Sequence, residues 1–277
     1  MSGRSAEQID SIRVGQRIGA WGWGKSDLDW KGVATYREIP PSARLRRYVE
    51  CYWQECQAGD HMVLPDGCVD ILFSRMGGEP AGLAAIGLMT APMRVAGAPA
   101  RSFFGVRFRP GMASAVIPGA QLLVNEIKPL EDLVGNAAAR MFEGLAEADT
   151  LEEMAALIDP LLRPLDPPDA GARLLWQLES GNVSLDQLIL YSGLSVRHFR
   201  RLCLERAGVS PKYLTRILRF QKAARKISAL GGLAQPSWAD FAVAFGYYDQ
   251  AHFIREFQEF AGCTPGRFLQ SRRRDPD

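Results

Sequence analysis

SWADFAVAFGYYDQAHFIREFQEFAGCTPGRFL, residues 237–269, is the stretch that decides the architecture. Ser237 and Asp249 are residue types whose side chains accept hydrogen bonds from the free N–H groups at a helix start. Gly246 and Gly262 supply the left-handed residue that ends a helix, and Thr264-Pro265 places a cap and a proline at the next start. The stretch therefore reads as helix, turn, helix and a capped third helix. An earlier copy, SLDQLILYSGLSVRHFRRLCLERAGVSPKYL (residues 184–214), has the same punctuation. Ser184 with Gln187 forms a capping-box pattern, Gly193 ends the first helix, Ser195 caps the second, Gly208 ends it, and Ser210-Pro211 opens the third. His198 and His252, Phe199 and Phe253, Arg201 and Arg255, Gly208 and Gly262, and Pro211 and Pro265 all keep one constant offset along the chain. A repeat of this length is a duplicated structural unit.

The second helix of each copy divides into two faces. Val196, Phe199, Leu202 and Cys203, and in the other copy Phe253, Phe257 and Phe260, form the expected inward set. Arg197, Arg200 and Arg201, and Gln250, Ile254 and Arg255, form the expected outward set. An exposed Arg/Gln face suits a DNA major groove, where Arg can donate two bonds to guanine and Gln can pair with adenine. A long helix from Pro211 to about Leu230 joins the copies, so that the two reading helices could enter major-groove segments about 34 Å apart. Its basic residues (Lys212, Arg216, Arg219, Lys222, Arg225, Lys226) are expected to meet phosphates or solvent.

Charge supports this division. Residues 170–277 carry 16 Lys and Arg against 9 Asp and Glu, while the rest of the chain carries 17 against 22. A basic half joined to an acidic half suggests a polyanionic partner for the former.

Gly246-Tyr247, His252-Phe253, Arg255, Phe257 and Gly262-Cys263-Thr264-Pro265 together resemble the signature of the AraC/XylS family of transcription regulators. The resemblance covers about 100 residues. It implies that Arg197, Arg200 and Arg201 of the first unit and Gln250, Ala251 and Arg255 of the second read DNA. Tyr248 stands where the family often has a small residue. His198 and His252 are open to two readings, base contact or local capping and packing.

The remaining boundaries follow from composition. Pro164, Pro167 and Pro168 mark residues 164–169 as a linker, with a DNA-binding domain over 170–277. Residues 36–163 form a sensor or dimerisation domain. Within it, apolar runs at residues 62–64, 69–73 and 102–108 suggest strands, and residues 121–162 suggest helices through Leu122, Leu123, Ile127, Leu130, Leu133, Met154, Leu157, Ile158 and Leu161. Those helices either pack on the β domain or pair two chains. Pro65-Asp66-Gly67 is expected to turn between strands, with Asp66 and Asp70 in structural roles. Tyr36-Arg37-Glu38-Ile39-Pro40-Pro41, residues 48–53 and 64–73, and Gly105-Val106-Arg107-Phe108-Arg109-Pro110-Gly111 resemble the β-rich sensor domain of one AraC-like subgroup. The fold class is thus α+β: a barrel-like sensor domain with attached helices, then an all-α domain of two helix-turn-helix units.

Residues 1–35 form an N-terminal arm. Arg13 and Arg17, followed by Asp27 and Asp29, resemble the cyclic di-GMP site of PilZ domains, with Asp29 in place of the usual Ser. Arg offers a planar fork for phosphate and a flat face for stacking. The alternative is an arm whose Trp21, Trp23 and Trp30 pack on the β domain.

No Ser/His/Asp or Cys/His arrangement is present, and no enzyme activity is expected. An alkyl-transfer repair protein of the Ada type would need a cysteine cluster whose spacing Cys51, Cys56 and Cys68 lack. Those cysteines and His61 are the residues a fold could gather around a metal, but they read as ordinary buried thiols, and no metal or cofactor is expected. The five cysteines have no CxxC pair. They suit a reduced, cytoplasmic setting. The absence of a run of about 18 apolar residues predicts no membrane partner. The expected partners are double-stranded DNA, a small-molecule effector such as cyclic di-GMP, RNA polymerase if the chain activates, and a second copy in a homodimer.

Overall fold

The computed structural model describes residues 36–57, 60–98, 100–163, 170–180, 184–230 and 236–272. The expected ligand residues Arg13, Arg17, Asp27 and Asp29, the tryptophans of the arm and the linker prolines lie outside them.

Among the described residues, eight strands precede the α-helices: β1 (Tyr36–Ile39), β2 (Val49–Gln57), β3 (His61–Val63), β4 (Val69–Met76), β5 (Glu79–Ile86), β6 (Met93–Val95), β7 (Arg101–Phe108) and β8 (Ile127–Pro129). Six form an antiparallel sheet in the order β1-β2-β7-β4-β5-β8, and β3 pairs with β6 in a separate ribbon. The expected barrel-like domain thus takes the form of a sheet and a ribbon. Ile127, read as helical, lies in β8 opposite Ile86. Its short strand covers the edge of β5, and this pairing is invisible to local periodicity.

Alternation gives the sheet two unlike faces. Ile71 and Phe73 of β4, Tyr52 of β2, and Phe104, Val106 and Phe108 of β7 belong to the main core. Helices α1 (Glu131–Val134), α2 (Asn136–Glu147) and α3 (Leu151–Ile158) follow the sheet. Met141, Leu145, Met154 and Ile158 join that core, whereas Leu122, Leu157 and Leu161, expected in the same apolar set, are exposed. Cys51, Trp53 and Phe103 form a second, smaller cluster with Leu72 on the other face.

The C-terminal region consists of α4 (Ala170–Ser180), α5 (Leu185–Ser192), α6 (Val196–Ala207), α7 (Pro211–Ser228), α8 (Trp238–Ala244), α9 (Gln250–Ala261) and α10 (Pro265–Arg272). The expected caps are formed. Ser184 and Gln187 make a reciprocal capping box, whereas Ser237 accepts from Asp240 N without one. Ser195, Ser210 and Asp249 cap α6, α7 and α9. Gly193, Gly208, Gly246 and Gly262 all adopt positive φ.

Helix α7 joins the two halves. Tyr213 Oη donates to Thr90 O at 3.1 Å, and Gln221 Nε2 donates to Pro65 O at 2.6 Å. The Pro65-Asp66-Gly67 turn does occur between β3 and β4. Asp66 Oδ1 accepts from Cys68 N, and Gly67 at φ +84° lies close to Leu214 of α7. Among the described residues, no helix is long and apolar enough to cross a membrane.

Candidate functional site

Arg197, Arg200 and Arg201 on α6, and Gln250, Ala251 and Arg255 on α9, are all exposed. Their backs are anchored: Phe199 and Cys203 are fully buried beneath α6, and Phe253, Phe257 and Phe260 beneath α9. Two expected assignments change. Val196 is 67 % exposed, because the first turn of α6 projects beyond the core. Ile254 packs against the core instead of standing with Arg255. His252 Nδ1 accepts from Tyr248 N at 3.4 Å, and its ring packs edge-on against Tyr247. Tyr248 is exposed in the turn.

The basic residues of α7 are not a uniform phosphate-facing row. Arg219 makes three bonds to the Glu256 carboxylate, Nη2 to Oε1 at 2.7 Å and to Oε2 at 2.9 Å and Nε to Oε1 at 3.1 Å, and Arg216 Nε reaches Oε2 at 2.7 Å. Glu256 is 2 % exposed, on the inner side of α9. A carboxylate removed from water needs such paired, charge-assisted bonds. This network fixes α9 against α7. Lys222 donates to Ser180 O, and Arg225 lies 3.8 Å from Glu50, while Lys212 and Lys226 are exposed.

A cavity of about 840 Å³ lies on the second face of the sheet. Strands β1, β2, β4 and β7 supply Tyr36, Glu38, Trp53, Glu55, Asp70, Leu72, Phe103 and Arg107. Met93 and Val95 line it from the ribbon, and Gln221 and Arg225 from α7. Gly105, opposite Trp53 in the β2–β7 register, makes room for the indole: a Cβ there would come within 2.0 Å of the ring. Trp53 Nε1 donates to Asp70 Oδ1 at 2.9 Å.

Arg107 is the electrostatic centre of this wall. Its Nε is 3.5 Å from both Asp66 and Asp70, and its guanidinium lies 5.8 Å from the Trp53 ring centre. Burial disfavours its charge, but Asp70 and Asp66 outweigh that and hold it firmly protonated. Burial pushes Asp70 up to about 6, against the opposing pull of Arg107. Asp66 and Asp70, expected to be structural, therefore hold Arg107 and also form part of the cavity wall.

Sequence reasoning missed the cavity and Glu256. Two signals pointed to them: strand alternation puts Cys51, Trp53 and Glu55 on one side of β2, and Glu256 aligns with the apolar Leu202 of the first copy. The thiols do not assemble into a metal site. Cys56 is exposed, all five cysteines are free, and no group of three or more His, Cys, Asp or Glu could hold an ion among the described residues.

Residues 37–125 match the family described as "Domain of unknown function (DUF6597)", and residues 190–271 match the family described as "Helix-turn-helix domain". No curated protein matches the chain. Among solved structures, the C-terminal domain of AraT, a response regulator from Geobacillus stearothermophilus, is similar at 19 % identity. The match covers 39 % of this chain and 89 % of that one, with a TM-score of 0.33. ToxT from Vibrio cholerae O395 is similar at 9 % identity over 80 % of this chain and 98 % of that one, with a TM-score of 0.42. The functional reading rests on the helix-turn-helix match and the duplicated geometry, not on these two likenesses. Residues 190–271 are thus similar to a helix-turn-helix domain, and the structure gives this region two capped helix-turn-helix units that follow a β-rich domain.

Proposed function

We propose that α6 and α9 read successive major-groove segments, through Arg197, Arg200 and Arg201 and through Gln250, Ala251 and Arg255, and that a small molecule in the cavity controls how they do so. The observation that carries the DNA-reading part is the pair of exposed polar faces on helices whose opposite faces are buried. The observation that carries the control is the cavity wall, which the sheet shares with α7, the helix that joins the two units. An effector touching Gln221 or Arg225 acts on the element to which α9 is fastened through Glu256. Control requires only that the effector favour one arrangement of α7 over another.

Selection of binding sites from a random DNA library, followed by footprinting with the full chain, tests the DNA-reading part. The expected footprint covers two major-groove segments on one face of the duplex, and Arg201→Ala and Arg255→Ala relax different segments. Failure to enrich any sequence, or an unchanged footprint in both variants, overturns it.

Cyclic di-GMP is the effector proposed through Arg13, Arg17, Asp27 and Asp29. Its test is calorimetric titration of the full chain beside the Arg13→Ala/Arg17→Ala variant. Binding that the variant loses supports it, and no heat removes it. The described cavity does not favour that anion, since five of its lining side chains are carboxyl groups.

A further inference from the structure

We infer that the cavity beneath α7 binds a small organic cation with an apolar or aromatic body, and that its ammonium is seated by Glu38, Glu55, Tyr36 and Trp53. This deepens the effector reading above and rests on it.

The cavity, about 840 Å³, has room for such a molecule. Small-molecule sites commonly enclose several hundred cubic ångströms. Its lining is divided. Leu72, Ile86, Met89, Met93 and Val95 give one apolar region. Glu38, Glu50, Glu55, Asp66 and Asp70 outnumber Arg107 and Arg225, the two guanidiniums in the wall. Those guanidiniums already have partners. Arg107 is within 3.5 Å of Asp66 and Asp70, and Arg225 is 3.8 Å from Glu50. Glu38 accepts from Tyr36 Oη, a neutral donor, and has Arg107 only at 3.9 Å. Glu55 has His61 Nε2 at 3.8 Å and no Lys or Arg ion pair among the described residues. The uncompensated negative charge is therefore concentrated at the β1–β2 end.

Strand register places aromatic faces beside that charge. Tyr36 pairs with Glu55 and Glu38 pairs with Trp53, so two carboxylates and two aromatic rings alternate around one patch of sheet. Directly opposed side chains in such a pair lie close together. The Tyr36 and Trp53 ring centres are 6.1 Å apart, and Phe103 packs in the same cluster as Trp53. Aromatic faces attract a cation within about 6 Å, more so when it is partly desolvated. A carboxylate or phosphate placed here would meet like charge from both glutamates. The apolar region behind it accepts the body of the ligand, and Gln221 and Arg225 bring α7 into contact with the occupied cavity.

The test is calorimetric titration of the full chain, without DNA, near neutral pH. Three probes share one ring system: 2-(1-naphthyl)ethylamine, 2-(1-naphthyl)ethanol and 1-naphthylacetate. The amine is expected to bind at least about tenfold more tightly than the alcohol, a difference of about 1.4 kcal/mol, with the acetate weakest. Glu38→Gln/Glu55→Gln should erase the preference for amine over alcohol. Met93→Trp, which fills the apolar region, should weaken both while thermal melting confirms a folded chain. Equal binding of all three, preference for the acetate, or no heat from any probe at millimolar concentration overturns the inference, as does an amine preference that survives Glu38→Gln/Glu55→Gln. Since no DNA is present, these failures are distinct from failure of the footprint.

Discussion

Where the second helix-turn-helix copy carries Glu256, the first carries Leu202 at the equivalent position. The same comparison sets Phe257 against Cys203, Phe260 against Arg206 and Phe268 against Leu214. The second copy fills its own core with rings, among them Phe220 and Phe257 at 5.1 Å between centres, and adds the buried Glu256 with Arg216 and Arg219. The first copy has no such set of rings, and the β domain lies against it. Gly208, at the end of α6, is so close to the Gln121 carbonyl that a Cβ would approach it to 2.1 Å, and Arg206 is next to Gly111. One template is thus completed in two ways. The second copy is fastened internally by aromatic packing and ion pairs, and the first by docking on the β domain.

The largest expected effect breaks the internal fastening. Glu256→Ala should cost about 2–4 kcal/mol in chemical denaturation. That range is discounted because Arg216 and Arg219 are about a quarter exposed and can recover water. Glu256→Leu, which copies the first unit, should do no better. If it restores full stability, the ion pairs are not what holds α9.

Docking of the first copy is tested at two glycines. Gly208 has a left-handed backbone, and a Cβ there collides with backbone oxygen. Gly208→Ala should therefore cost roughly 2–3 kcal/mol. Gly193 has positive φ but open space around it. Gly193→Ala should cost about 1 kcal/mol. Equal losses in thermal or urea melts would mean that α6 does not depend on the β domain.

At the DNA, Arg201→Ala and Arg255→Ala should each lose about 1–3 kcal/mol of affinity, measured by competition titration, at separate positions of a selected site. Among the described residues, Arg201 has an exposed ion-pair contact to Glu205 at 3.6 Å. Such a pair contributes little, so folding stability should hardly change. Loss at the same base position in both variants would contradict separate reading by the two copies.

The smallest difference lies in the caps. Of Ser184 and Ser237, the former belongs to a reciprocal capping box and the latter does not. Ser184→Ala should cost about 1 kcal/mol, and Ser237→Ala a few tenths less. Helix melting followed by circular dichroism distinguishes the two.

The sequence alone determined the helical punctuation of the C-terminal region: Ser184, Ser195, Ser210, Ser237 and Asp249 act on N–H groups three residues away, and Gly193 and Gly208 act through their own φ. Those interactions are local, so their signals are local. The outward placement of Arg197, Arg200, Arg201, Gln250 and Arg255 was legible for the same reason, through helical period. Val196 and Ile254 departed from it because burial depends on what covers each position of a helix, not on period alone. The partners of Arg216, Arg219 and Glu256 were decided only by the packing of α7 against α9. The cavity was likewise tertiary: Tyr36, Trp53, Asp70 and Arg107 come from four different strands, and only their register brings rings, carboxylates and a guanidinium onto one face. A side chain's charge is written in the sequence, but the dielectric and the partners that determine what the charge does are supplied by residues distant along the chain.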